Sequence, residues 1–216
     1  MTGRRISIRP VILRPRRRLL VTPGCLAVLA AACLVTPREV FVAVLLASAL
    51  HEGGHLLAMR CFRVPVESVT LGAFGAQINA RGLLRLPYGQ ELIVTLAGPM
   101  VNLVLAPLIA ALSRELGWQE GWIFAGAHAI LGGFNLLPIL PLDGGQALYL
   151  LAAWCFDPQF ASTVTAAVGA VCALTLLALS LVLMVRGGGA FFLFAALGLA
   201  HGALGQLALA KNAVRV

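Results

Sequence analysis

Three ionisable residues fall within five positions at His51-Glu52-Gly53-Gly54-His55. Residues i and i+4 share one face of a helix, so a helical segment here lets His51 and His55 offer imidazoles to one metal ion. Glu52 is rotated about 100° from His51 and cannot easily join as a third ligand. It is placed instead to act as a general base on water. Two imidazoles suit zinc, with iron and cobalt as alternatives. Two histidines merely bonded to neighbouring helices would leave the carboxylate of Glu52 without a role. Gly53 and Gly54 each cost about 1 kcal/mol against Ala in a helix. Side by side, they imply that something packs closely there.

A zinc site usually takes a third protein ligand and keeps a fourth position open for catalysis. The sequence offers His128, His201, Asp143 and Asp157. Asp143 stands out by context, in the run Asn135-Leu136-Leu137-Pro138-Ile139-Leu140-Pro141-Leu142-Asp143-Gly144-Gly145. Pro138 and Pro141 break a helix, and Gly144 and Gly145 free the backbone behind the carboxylate. His128 and His201 lie mid-span and read as packed or hydrogen-bonded interior residues. Asp157-Pro158 reads as a helix start.

The elements that must hold these residues are membrane helices. Of 216 residues, 60% are hydrophobic and 11% charged, against roughly 45–50% and 25% in soluble domains. Apolar runs mark six spans, at 19–36, 40–60, 91–113, 122–137, 160–185 and 189–210. The fourth is short and Gly-rich, as a broken or tightly packed span would be. The expected fold is therefore an all-α polytopic membrane protein of about six transmembrane helices. It divides into a basic tail at 1–18, one transmembrane domain at 19–210 and a short tail at 211–216. With the N-terminus in the cytoplasm, thirteen basic residues lie inside and three outside, as the positive-inside rule requires. Both termini are then cytoplasmic. The same rule accounts for the basic tail, Arg4 to Arg18, without nucleic acid. A basic start before an apolar core also has the form of a cleaved signal peptide; the first span is nonetheless of ordinary length for a retained helix. The five cysteines show no paired spacing and read as small apolar residues.

Val66-Glu67-Ser68-Val69-Thr70-Leu71 is rich in β-branched residues and partly alternates, as a strand does. Gly72 and Gly75 punctuate it, and Gln77-Ile78-Asn79 resumes an extended run. A small β-hairpin or loop at the cytoplasmic membrane edge is expected, with an exposed edge at Val69 and Leu71 on which an extended substrate could pair.

The sequence resembles the site-2 protease family of intramembrane metalloproteases. The resemblance rests on His51-Glu52-Gly53-Gly54-His55, on Ala97-Gly98-Pro99-Met100-Val101-Asn102 and on the segment from Asn135 to Asp143-Gly144. It covers roughly residues 40–150. It implies His51, His55 and Asp143 as zinc ligands and Glu52 as the general base. It also implies that Asn135 positions substrate or stabilises the oxyanion, as in the bacterial sporulation branch. Six spans without an inserted PDZ domain are similar to that branch. Pro141-Leu142-Asp143-Gly144 departs from the family's Asn-Pro-Asp-Gly form. The sporulation branch's cytoplasmic CBS domain is not found in this sequence.

The implied activity is hydrolysis of peptide bonds in membrane-tethered proteins in a bacterial cell membrane, by a zinc metalloendopeptidase. Its partners are the substrate, the lipid bilayer and a membrane inhibitor or activator protein. Pro-sigma factors, anti-sigma factors and remnant signal peptides all remain open as substrates. Two rivals stand beside this reading. A metal transporter uses membrane histidines and carboxylates too, but spreads them along a path. An inactive relative acting as a binding protein would have no need of Glu52.

Overall fold

The computed structural model describes residues 18–72, 75–80, 82–186 and 191–214. The basic tail before Arg18 lies outside the described residues, as do Arg81 and the last two residues of the chain.

The chain opens with a short strand, β1 (Arg18–Val21), followed by helix α1 (Pro23–Val35). The expected first span therefore divides into a strand and a helix of 13 residues, about 20 Å long at 1.5 Å per residue. Thr22 makes the division. Its Oγ1 accepts from the Cys25 N–H at 3.2 Å and donates to the Leu71 carbonyl at 3.0 Å. Pro23, with no N–H to satisfy, follows at the start of the helix.

Helix α2 (Arg38–Cys61) carries the His51–His55 motif. Glu39 in its first turn and Arg60 in its last complement the helix dipole. Strands β2 (Val66–Gly72) and β3 (Gly75–Ala80) form the expected hairpin. The sheet has the order β1-β2-β3, with β1 parallel and β3 antiparallel to β2. Leu19 faces Val69 on one side, and Ile78 faces Val69 on the other. β2 is thus the central strand. The expectation of a free edge at Val69 and Leu71 is corrected: the aliphatic start of the first apolar run occupies it. Met59, Val64 and Val94 are buried beneath the sheet, with Val66, Ile78 and Leu83 packed against them.

Helix α3 (Tyr88–Leu116) ends at Gly117, whose positive φ of 64° lets the Trp118 N–H close on the Ser113 carbonyl at 2.9 Å. Helix α4 (Gln119–Asn135) then runs back along it. A Cβ on Gly121 would run into Ser113 near the far end of α3, and one on Gly132 would meet Asn102 and Leu103 near its middle. The chain breaks at 136–142 and resumes as α5 (Asp143–Cys155), a helix hidden in the sequence by the prolines and glycines at its start. A Cβ on Gly89, at the start of α3, would touch the Trp154 ring near the end of α5 at 3.3 Å. α4 and α5 therefore lie end to end against α3, as two halves of one interrupted element. Helix α6 (Pro158–Val185) is capped by Asp157, whose Oδ1 accepts from the N–H groups of Gln159 and Phe160. α6 pairs with α7 (Phe191–Val214). Ile139 of the break is fully buried against Ala173, Ala200 and Ala203 of these two helices.

Among the described residues, α2, α3 and α6 are long and apolar enough to cross a membrane. The packing agrees. Most buried apolar side chains are alanines, and the buried polar set includes His51, His55, Asn102, His128 and Thr165. Leu34, Ile130 and Val185 stand on the outside, at 87%, 73% and 87% exposure. A polar interior under an aliphatic surface is stable only where lipid is the outer solvent. The chain is a membrane protein.

Candidate metal centre

His51 and His55 stand one turn apart on α2, with both rings buried. Their Nε2 atoms are 3.2 Å apart. Oδ2 of Asp143, in the first turn of α5, lies 3.1 Å from the Nε2 of His51 and 3.5 Å from that of His55. Two ligands about 2.05 Å from a tetrahedral zinc stand about 3.3 Å apart. The three edges of this triangle fit that spacing. The donor set fits as well: two imidazoles and a carboxylate leave one position open, as catalytic zinc sites do. Oδ2 of Asp143 is buried and no hydrogen bond reaches it, which also suits a cation in the middle of the triangle. Among the described residues this is the one group of three such side chains close enough to share an ion.

The surrounding backbone makes room for this convergence. A Cβ on Gly98 of α3 would run into the Nε2 of His55, and would lie 2.8 Å from that of His51. A Cβ on Gly54 would meet the Ala97 carbonyl oxygen at 2.6 Å, so α2 and α3 touch there backbone to backbone. Gly53 meets nothing within 4 Å; of the two adjacent glycines, only Gly54 answers to close packing. Gly144 and Gly145 lie in regular helix. A Cβ on either would strike the backbone of the break, at Leu136 and Leu137 or at Ile139 and Leu140. Their role is close approach of α5 to the break, which corrects the expectation of a freed backbone.

The Nδ1–H of His55 donates to the Val94 carbonyl at 2.8 Å. A carbonyl only accepts, so the proton of the neutral ring sits on Nδ1 and the Nε2 lone pair faces the triangle. Glu52 is half-buried on the same helix, within electrostatic reach of His51, His55 and Asp143. Asn135 is not drawn into the cluster. It is the last residue of α4, and its amide donates back to the Leu131 carbonyl at 3.0 Å.

The remaining candidates for a third ligand are placed elsewhere. Asp157 caps α6. His201 is exposed on α7, which corrects its reading as a packed interior residue. His128 is buried, as expected, and bonds to Asn102. Asn102 also approaches Nδ1 of His51. In the sequence Asn102 closes the Ala97 to Asn102 motif, and nothing in the spacing there marks its contacts.

No family model matches the sequence. The chain is 37% identical over 157 residues to Rip3 of Mycobacterium tuberculosis, covering 67% of this chain and 39% of that protein. It is 26% identical over 149 residues to zinc metalloprotease MJ0392 of Methanocaldococcus jannaschii, covering 67% of this chain and 43% of the relative. It is 31% identical over 127 residues to stage IV sporulation protein FB of Bacillus subtilis, covering 57% and 44%. The solved site-2 protease from Methanocaldococcus jannaschii superposes with a TM-score of 0.64 at 20% identity, over 88% of this chain and 90% of that one. The chain has the site-2 protease fold. It spans about two fifths of the length of the curated relatives it matches. The site-2 protease fold here combines the packed helices, the three-stranded sheet and the interrupted element α4–α5, whose second half begins at Asp143.

Proposed function

We propose that this chain is an intramembrane zinc metalloendopeptidase that hydrolyses peptide bonds of membrane-tethered proteins. The convergence of His51, His55 and Asp143 within 3.1–3.5 Å of one another carries the proposal. The names of its relatives, zinc metalloprotease and site-2 protease, support it. His51, His55 and Asp143 hold the ion. Zinc, when bound, supplies a Lewis acid that activates water and polarises a carbonyl. Glu52 accepts the water's proton and returns it to the leaving amine. Its place one residue from a ligand puts it beside the ion without making it a ligand. Asn135 is the residue available to hold the substrate or its oxyanion from the break. That role requires its amide to leave the Leu131 carbonyl. Clustering of the ligands at one depth favours an enzyme over a transporter, which needs ligands along a path.

In this reading the chain crosses a bacterial cell membrane six times, by α1, α2, α3, the interrupted pair α4–α5, α6 and α7. Both termini and the sheet face the cytoplasm. Irregular backbone at membrane depth is tolerated only inside protein or beside a water-filled cavity, so the break at 136–142 is also where water would reach the site. A sigma-factor precursor, an anti-sigma factor or a remnant signal peptide would each be such a substrate, and a membrane inhibitor or activator protein would set the timing.

Glu52→Gln tests the assignment. The purified variant is expected to keep one zinc per chain and to lose cleavage of a membrane-tethered substrate by at least about 100-fold, the lower range for loss of a general base. Cleavage above a tenth of wild type would remove Glu52 from the mechanism.

A further inference from the structure

A cavity of about 540 Å³ opens between the C-terminal end of α2 and the sheet. Leu56 of α2, Val66 and Val69 of β2 and Leu19 of β1 give it apolar walls. Arg60 and Arg63 line it as well, and Glu67 is the one carboxylate on the lining. Both arginines are exposed, and neither side chain makes an ion pair or hydrogen bond among the described residues. Arg63 stands at a positive φ of 57°, where the chain leaves α2. Its N–H bonds to the Arg60 carbonyl at 3.1 Å. Glycine takes that conformation without a Cβ clash, so the backbone does not ask for an arginine there.

The cavity continues the metal centre. Glu52, Leu56 and Arg60 follow at i, i+4 and i+8 on α2 and form one stripe of the helix. At 1.5 Å per residue, Leu56 lies about 6 Å and Arg60 about 12 Å along the axis from Glu52. An extended chain advances about 3.3 Å per residue. A substrate opened at the metal centre and leaving along this stripe therefore draws level with Leu56 at its second residue from the scissile bond and with Arg60 at its fourth. β1 and β3 occupy both edges of β2, so β2 offers such a chain side chains rather than backbone.

We propose that this cavity is a specificity subsite for the substrate flank that leaves the membrane on the sheet side. It takes an apolar side chain at the second residue from the scissile bond and an acidic one at the fourth or fifth. This rests on the reading of the chain as an endopeptidase with Glu52 as its base. The volume falls within the range of ligand sites, about 300–1,000 Å³. Two guanidiniums against one carboxylate select an anionic occupant. An anionic lipid headgroup would meet the same arginines; continuity with Glu52 favours the substrate.

The test reconstitutes the full chain with zinc in phosphatidylcholine vesicles, together with a library of single-span proteins randomised next to the span on the sheet side. Sequencing the products places each cut. Cut sequences are expected to favour Leu, Ile, Val or Phe at the second residue. At the fourth or fifth they are expected to favour Asp and Glu over Lys and Arg roughly tenfold, the scale of one or two exposed ion pairs and the like-charge repulsion avoided. The double substitution Arg60→Glu, Arg63→Glu is expected to invert that charge preference while keeping one zinc per chain. Arg63→Gly is expected to weaken the preference without lowering the unfolding temperature, because it relieves the positive φ. The same flank profile in wild type and in the double variant overturns the proposal. So does a charge preference that appears only when phosphatidylglycerol is added, which assigns the arginines to a lipid headgroup. Glu52→Gln separates this from the reading beneath it. Cleavage retained in that variant removes the endopeptidase mechanism, and both fall together; Glu52-dependent cleavage that is indifferent to the flank overturns the subsite alone.

Discussion

Gly98 and Gly53 both flank the histidine pair, yet only Gly98 is held to glycine by its neighbours. At Gly98 the added methyl occupies the space of the two imidazole Nε2 atoms, whereas at Gly53 it meets nothing within 4 Å. Gly98→Ala is therefore expected to abolish stoichiometric zinc binding with all three ligands still present. Gly53→Ala is expected to keep the zinc and gain up to about 1 kcal/mol in helix stability. Metal analysis and thermal unfolding of the two purified variants check the contrast. A zinc-replete Gly98→Ala protein would show that the rings can move aside. Asp143→Ala removes a ligand and is expected to lower zinc occupancy well below one per chain. X-ray absorption that finds an unchanged metal environment in that variant would mean a different third ligand.

The elements are what make three distant residues neighbours, and they were not equally legible in the sequence. The β2–β3 hairpin could be read from alternation and from Gly72 and Gly75, because both signals are local. Strand β1 was hidden: Leu19, Leu20 and Val21 continue directly into an apolar run, and only pairing with Val69 to Leu71 distinguishes them. Helix α5 was missed because Pro138, Pro141 and two glycines mark its start as loop. Those glycines are instead packed in helix against the break. The grouping of His51, His55 and Asp143 is legible because spacing and context suffice for it. The contacts of Asn102 with His51 and His128 are not, because they depend on how closely α4 approaches α3. Gly145→Ala acts at this scale. Its methyl would press on Ile139 and Leu140 at 2.5 Å, pushing α5 away from the break and Asp143 away from the histidines. Zinc occupancy is expected to fall about as far as in Asp143→Ala, although no ligand is changed. Full occupancy in this variant would show that α5 can shift without carrying its first turn along.

At the scale of the molecule, one arrangement satisfies charge, packing and chemistry together. β1 pairs in parallel with β2, so α1 leaves the sheet and α2 returns to it. α3 leaves from the same side. α4 and α5 return along α3 in two steps, halting at the metal centre. The sheet, the end of α2 and the end of α5 thus share one side, and the turns at Gly117 and before α2 share the other. Arg60, Arg63 and Arg85 sit on the sheet side, which the proposed orientation places in the cytoplasm in keeping with the positive-inside rule. Arg186 ends α6, which starts at Pro158, beside the end of α5 on the sheet side. A helix of 28 residues rises about 42 Å, enough to carry Arg186 across a hydrocarbon core of about 30 Å. Cysteines introduced at Arg85 and Arg186, in a chain whose five native cysteines have been replaced, are therefore expected to react from opposite sides of a sealed vesicle. A membrane-impermeant maleimide should label Arg85→Cys in inside-out vesicles and Arg186→Cys in right-side-out vesicles. Labelling of both from one side would mean that α6 does not cross. The reversed pattern would keep the fold and put the sheet, with the break at 136–142 above it, on the outer face of the membrane.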